Sequence, residues 1–530
     1  MPLGLYISVP FCPTKCSYCN FASDVFSKSA YENYVARLLE DIANSRKLAA
    51  ELGCALGSAR GSSCDDTADS IYLGGGTPSI LDGPQLLRIF AVLRAQFAIT
   101  PDAEITVECA PGTLTPPLIE TLLQCGVNRV SLGVQSFVDR EAQSVGRRHK
   151  RSTVLEEIGR LRQAGLGNIN IDLIAGLPHQ TAESWAFSVS ETIATGVPHV
   201  SVYMLEVDED SRLGRELIAG GARYHAHFVP DDDTTADFYQ QACQMLAAAG
   251  IAQYEISNFA RTATQLQSNE SRHNLKYWTR QPYLGFGVDA HSMLEPVEGR
   301  ASSPVRVATA ALGCPAERSS AAASGHSNSR FPIAVDGIEA NRHQAVRFAT
   351  PDSLDAYMNR VSHTVTPVSA QAAIEESFFL GLRLSRGIDL RQLCAELGPE
   401  FGAELAPASS SRTFTNCHPE PSEGPAVSQK ATQTLDSRQF REGHDFSRAI
   451  SSAEATASAA EASRVPQKEF SPQAIATWES AIQQSLREGL LEQQATTLRL
   501  TARGRLLSNE VFARFLIEET KVGTGHVNPR

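Results

Sequence analysis

Six short apolar runs alternate with helical stretches over residues 1–300, and this alternation limits the fold more than any other feature. The runs are LYISV (5–9), SIYLGG (70–75), EITVEC (104–109), RVSLGV (129–134), INIDLI (169–174) and HVSVYML (199–205). Each is rich in Val, Ile or Leu and bounded by turn residues, the pattern of a buried strand. Between them lie helical stretches at Tyr31–Asn44, Gly83–Ala95, Pro116–Cys125, Thr153–Ala164, Ala182–Ala194 and Thr235–Ala249. Gly126, Gly165 and Gly250 follow three of these and suit helix C-terminal caps. Repeated βα units imply a parallel sheet covered by helices, either a barrel or a doubly wound sheet. Six in succession favour a full or partial (β/α) barrel, whose chemistry sits at the C-terminal ends of the strands.

Two stretches depart from this plan. Residues 297–345 are rich in Ala, Ser and Gly, and residues 408–467 hold seven large apolar residues against eleven Ser. Such segments bury too little apolar surface to offset their ordering entropy and are expected to be disordered or loosely packed insertions. Helices at Gln371–Leu384 and Ile475–Leu491 are expected on either side of the second stretch. TLRLTARGRLLSNEVFARFL (497–516) then has the pattern of a strand, a turn and a helix. The expected organisation is a core over 1–296, an insertion over 297–345, a C-terminal winged-helix-like α+β domain from 346–407 and 468–520, and an insertion over 408–467. The net charge of −12 argues against a protein that coats nucleic acid. No apolar run is long enough for a transmembrane helix, and the N-terminus lacks signal-peptide features, so a cytoplasmic location is expected.

Of eleven cysteines, Cys12, Cys16 and Cys19 fall within eight residues, just after the first strand. Iron–sulfur clusters are held by Cys thiolates, usually four. Three close thiolates can hold three irons of a [4Fe–4S] cluster and leave the fourth iron open to a ligand. One alternative is zinc, which would want a fourth Cys or His. The other is three unrelated buried cysteines.

Gly74-Gly75-Gly76-Thr77-Pro78 closes the second strand. Glycines let a ligand approach the backbone, and Pro78 fixes the turn, although a tight loop alone would explain both. Glu108, Gln135, Arg147 and Asp172 follow on successive βα units. Each alone could be a structural ion pair or hydrogen bond; four at one barrel mouth favour a ligand site.

The spacing C-x3-C-x2-C with an aromatic, Tyr18, before the third Cys resembles the signature of the radical S-adenosylmethionine (SAM) superfamily. The resemblance implies a partial (β/α)6 TIM-like barrel, a [4Fe–4S] cluster on Cys12, Cys16 and Cys19, and SAM chelated by the open iron. It narrows to the coproporphyrinogen III oxidase-like group, on LYISVPFCPTKCSYCNF (5–21), YLGGGTPS (72–79), NRVSLGVQSF (128–137), GRRH (146–149), INIDLIAGLP (169–178), YEISNFA (254–260), SRHNLKYW (271–278) and YLGFGVDAHS (283–292). By motif, Tyr6, Tyr18, Gly75, Gly76, Thr77, Glu108, Gln135, Arg147 and Asp172 would line the SAM site. Cys109-Ala110-Pro111 departs from the Asn-Pro commoner after the acidic residue, and Cys109 is not expected to ligate the cluster.

Within that group the sequence resembles the heme-chaperone branch. The true oxidases continue the motif to a fourth Cys, where this chain has Phe21, and carry an N-terminal extension that is expected to be missing here. The HNxxYW motif, here His273, Asn274, Tyr277 and Trp278, is associated in that branch with heme. The same residues could simply pack at a loop base with their polar tips bonded, and His291 is a competing heme ligand. The implied partners are heme and hemoprotein acceptors such as membrane-bound respiratory cytochromes, with a homodimer as one possible assembly. The alternative activity is oxidative decarboxylation of coproporphyrinogen in porphyrin biosynthesis; an unrelated radical SAM substrate is a third reading.

Overall fold

The computed structural model describes residues 1–54, 56, 67–209, 211–262, 268–296, 343–397 and 472–517. The stretches expected to be insertions, 297–345 and 408–467, lie outside the described residues apart from 343–345. The chain divides into two compact units, Met1–Arg386 and Gly387–Arg530.

In the first unit all six expected strands form. They are β1 (Leu3–Val9), β2 (Thr67–Gly75), β3 (Ala98–Cys109), β4 (Arg129–Gln135), β5 (Ile169–Ala175) and β6 (His199–Met204). They pair in sequence order, every pair parallel, as a partial barrel requires. All seven residues of β1 are buried, as a parallel strand covered on both faces should be. Its Leu3, Leu5, Ile7 and Val9 are fully buried. Burying each contributes about 1.5–3 kcal/mol. The alternate positions Gly4, Tyr6 and Ser8 share the opposite face with small and polar residues of the neighbouring strands.

The covering helices also follow the sequence pattern. The helix Gly83–Gln96 starts on a capping box, in which Asp82 accepts from the backbone of Gln85 and Gln85 returns the bond. Such a cap stabilises by about 1 kcal/mol. Gly126, Gly165 and Gly250 all take positive φ where their helices stop.

The sheet is twice as wide as the sequence pattern implies. It holds twelve strands, adding β7 (Ile251–Gln253), β8 (Asn258–Arg261), β9 (Tyr283–Phe286), β10 (His291–Leu294), β11 (His343–Ala349) and β12 (Thr364–Ser369). β9 lies parallel beside β1, with Tyr6 opposite Gly285, so β1 is not an edge. Four of the six additions have only three or four residues, too short to show a period.

The second unit is a small α+β body. β13 (Ile388–Asp389), β14 (Leu491–Gln494) and β15 (Thr497–Leu500) form an antiparallel sheet, accompanied by the helices Pro472–Arg487, Ala502–Leu506 and Ser508–Ala513. The helix expected to reach Leu491 ends at Arg487, because Gly489 turns the chain at φ 67° and Leu491 opens β14.

Candidate cofactor site at the barrel mouth

Parallel pairing places the C-terminal ends of β1–β6 at one end of the barrel. The loop after β1 carries the cysteine triplet. It is held down by bonds from Cys12 N to Asp24 O (3.0 Å), Ser17 N to Val145 O (3.1 Å) and Leu213 N to Ser17 O (2.8 Å). Lys15 closes it from within, its Nζ donating to Phe21 O (2.7 Å) and Ser23 O (2.6 Å). Asn20 donates to Asp208 at 2.5 Å, clasping the loop to the segment after β6.

The three thiols are free of disulfides. Among the described residues, no three His, Cys, Asp or Glu side chains come together as a single-ion site. A zinc site would want a fourth Cys or His beside the triplet. Thiolates on separate irons of a cluster face no such demand. Ser23 Oγ and Thr77 Oγ1 each lie 3.7 Å from Cys12 Sγ, placed to donate to a thiolate. Burial raises the Cys12 and Cys19 thiols above their ordinary range. Without metal they hold their protons, so metal binding releases them.

Gly75 and Gly76 let the β2 end approach this loop. A Cβ on Gly76 would lie 2.7 Å from Phe11 O, 2.8 Å from Val9 O and 3.1 Å from Cys12 Sγ, and Gly75 takes φ 98°. Both positions need glycine.

Beside the loop, Gln135 and Arg147 lie over Gly133, with Gln135 Nε2 and Arg147 Nη2 each 3.2 Å from where a Cβ would stand. Gln135 Oε1 and Arg147 Nε are buried without a hydrogen-bond partner among the described residues. Gln135 also holds a left-handed backbone at φ 68°. Unpaired buried polar atoms and strained backbone mark ligand sites. Arg147 Nη2 donates to Tyr18 OH at 3.3 Å. Burial alone would lower the Arg147 pKa, but Cys16, Tyr18 and Cys19, once ionised, raise it above its ordinary value.

Deeper in the barrel, Tyr72 OH donates to Glu108 at 2.8 Å, and Tyr72 stacks on Tyr6 with ring centroids 6.2 Å apart. Asp172 accepts from Ser131 at 2.9 Å and from Asn170 at 2.7 Å. Burial, then the charge of Glu108, pushes its carboxyl up to about 6. Of the nine residues expected at SAM, Tyr18, Gly75, Gly76, Thr77, Gln135 and Arg147 stand at or just beyond the strand ends around the cysteine loop, and Tyr6, Glu108 and Asp172 lie deeper in the barrel. Lys15, Ser23 and Tyr72 were not among them. Tyr72 was the legible one, since it lies two residues from Gly74 and so shares its strand face.

The HNxxYW residues lie elsewhere. The helix Arg272–Trp278 packs against the N-terminal end of β1, where a Cβ on Gly4 would lie 2.8 Å from Lys276 and 3.2 Å from His273. His273 is 1% exposed, bonded at Nδ1 to Ser70 (3.0 Å) and at Nε2 to Tyr277 (2.8 Å). As placed, it has no nitrogen to offer iron. Ser271 caps the helix start, its Oγ accepting from the backbone N–H of Asn274. The Arg383 guanidinium lies 4.3 Å over the Trp278 ring. His291 is at the mouth, 3.8 Å from Asp289.

Comparison with known proteins agrees with this geometry. The radical SAM superfamily model matches residues 6–189. Heme chaperone HemW of Escherichia coli (strain K12) is 34% identical over 300 residues, covering 56% of this chain and 72% of that protein. HemW of Lactococcus lactis subsp. lactis (strain IL1403) is 32% identical over 304 residues, covering 57% and 73%. Among solved structures, the coproporphyrinogen III oxidase HemN of Escherichia coli, a radical SAM enzyme, superposes with a TM-score of 0.62 at 18% identity, over 97% of this chain and 90% of that one. At that identity the likeness speaks for the fold alone. By sequence and fold together, the chain belongs to the radical SAM superfamily and, within it, to the HemW family.

Proposed function

We propose that this protein is a heme chaperone, which carries a [4Fe–4S] cluster, binds SAM, takes up heme and passes it to hemoproteins such as respiratory cytochromes. The observation that carries the reading is the kinship with HemW proteins at 32–34% identity over more than two thirds of their length. Phe21 supports it, since it stands where the oxidases resembled above have a fourth Cys.

In this reading Cys12, Cys16 and Cys19 hold the cluster. When bound and reduced, it supplies the electron that cleaves SAM. The chain's own residues position and shield. The Ser23 and Thr77 hydroxyls donate to the Cys12 thiolate, and bare backbone at Gly75 and Gly76 admits the ligand. Gln135 Oε1 offers it an acceptor and Arg147 Nε a donor. Glu108, fixed by Tyr72, and Asp172 accept hydrogen bonds from the ligand deeper in the barrel. No described helix is long and apolar enough to cross a membrane, so membrane-bound acceptors would be met from the surface.

The test is anaerobic reconstitution followed by heme titration and, separately, incubation with SAM, reductant and coproporphyrinogen. The chaperone reading expects a Soret band and no protoporphyrinogen. Product formed over repeated turnovers would favour the oxidase.

A further inference from the structure

A heme carrier needs an imidazole with a lone pair, reachable from solvent and backed by apolar surface. Three buried histidines of the described residues fail this. His199 is 1% exposed, bonded at Nδ1 to Asn170 (2.6 Å) and at Nε2 to Tyr254 (2.9 Å). His273 is equally enclosed, as described above. His149 is buried, with Nε2 3.1 Å from Val134 O.

A different group lies where the loops after β5 and β6 meet. His179 N donates to Phe228 O at 3.0 Å, which joins the two loops. The Phe228 ring lies 4.0 Å from that of His179 and 4.2 Å from that of His227 by centroid. It is 47% exposed. Glu216 pins the second loop by accepting from Tyr224 N at 2.9 and 2.8 Å and from Ala226 N at 3.2 Å. His179 and His225 both hold left-handed backbone, at φ 69° and 61°. Residues other than glycine rarely do so, and such strain gathers at functional sites.

The hydrogen bonds fix which nitrogen is free. Arg140 Nη2 faces His179 Nδ1 at 3.4 Å and donates to it. His179 then carries its proton on Nε2 and donates to His225 Nδ1, 3.1 Å away. Burial, the Arg140 charge and the two neighbouring imidazoles hold His179 below the ordinary His range, so it stays neutral and can accept. His227 is exposed, and no hydrogen bond holds its ring nitrogens among the described residues.

We propose that His227 is the axial ligand through which this protein takes heme at the barrel mouth, with Phe228 as the apolar contact for the porphyrin and the His179–His225 pair as its positioning support. The proposal rests on the chaperone reading above and names the place where the cargo sits. The imidazole nitrogen gives its lone pair to the iron and displaces a weak axial ligand such as water, with no change of redox state. Among the described residues no three-residue chelate forms here. A single ligand suits an iron already held by a macrocycle and would hold a bare ion poorly. Arg140 supplies positive charge for a propionate.

The test is hemin titration of the reconstituted full chain, followed at the Soret band, for the wild type and for His227→Ala, His227→Gln, His291→Ala and His273→Ala. The proposal expects both His227 variants to bind at least tenfold more weakly with a shifted band, free imidazole to restore the wild-type spectrum of His227→Ala, and the cluster absorbance to stay unchanged. His291→Ala should bind like the wild type. Wild-type affinity and spectrum in both His227 variants would overturn it, as would loss of the band only in His291→Ala or His273→Ala. A wild-type protein with no Soret band at all would overturn the chaperone reading itself.

Discussion

Nε2 of His273 lies 2.8 Å from the hydroxyl of Tyr277, one helical turn further on. The opposite nitrogen is 3.0 Å from Ser70, and the ring stacks on Tyr72 with centroids 5.3 Å apart. The motif that resemblance ties to heme is therefore built into the floor of the barrel. His273→Ala would leave Ser70 and Tyr277 without their partner and open a cavity. It should cost about 2–4 kcal/mol of stability. Urea denaturation checks this, and an unchanged midpoint would show that the ring is not holding the floor.

The cluster assignment rests on three cysteines and excludes a fourth. Replacing Cys12, Cys16 and Cys19 together with Ala should abolish the brown absorbance after anaerobic reconstitution. Cys109→Ala should keep it, because Cys109 is 3% exposed and its thiol faces Val107 O at 3.7 Å. Iron and sulfide content of the two variants gives the answer. A loaded triple variant would contradict the assignment.

Gln135 shows stability set against binding. Its left-handed backbone favours glycine, and its Oε1 has no partner among the described residues. Gln135→Gly should therefore raise stability by up to about 1 kcal/mol. The same change should weaken SAM binding roughly tenfold, about 1.4 kcal/mol, the scale of one hydrogen bond. Calorimetric titration of SAM alongside denaturation reads both. Lower stability with unchanged affinity would place Gln135 outside the ligand site.

Asp172 gives a pH signature. Its carboxyl rises from the ordinary 3.8 to about 6 in the fold, through burial first and the Glu108 charge second. A raised folded-state value favours the protonated form. The stability this contributes is complete below about 3.8 and is lost as pH rises through about 6. Asp172→Asn escapes that loss. Its stability relative to the wild type should climb between pH 4 and 6 and level off above roughly 7. A difference that is flat across this range would mean the carboxyl is not shifted.

The six barrel strands were legible because parallel strands are covered on both faces and so appear as unbroken apolar runs. The polar residues at their ends were legible for the complementary reason, that a buried carboxylate or guanidinium needs a partner. The short strands β7–β10 were not, since three or four residues carry no period. Nor was the floor, because Ser70 and His273 stand 203 positions apart and only the folded chain brings them together. Lys15 lay inside the most visible motif, but its role depends on the loop folding back on the carbonyls of Phe21 and Ser23.

Heme transfer tests the central claim most directly. Protein reconstituted with its cluster, supplied with SAM and loaded with one heme, is mixed anaerobically with a heme-free cytochrome, and the spectrum is followed. The account predicts that the carrier's Soret band falls as that of the cytochrome rises. Failure to load or release heme, with coproporphyrinogen converted to protoporphyrinogen by the same preparation, would contradict it.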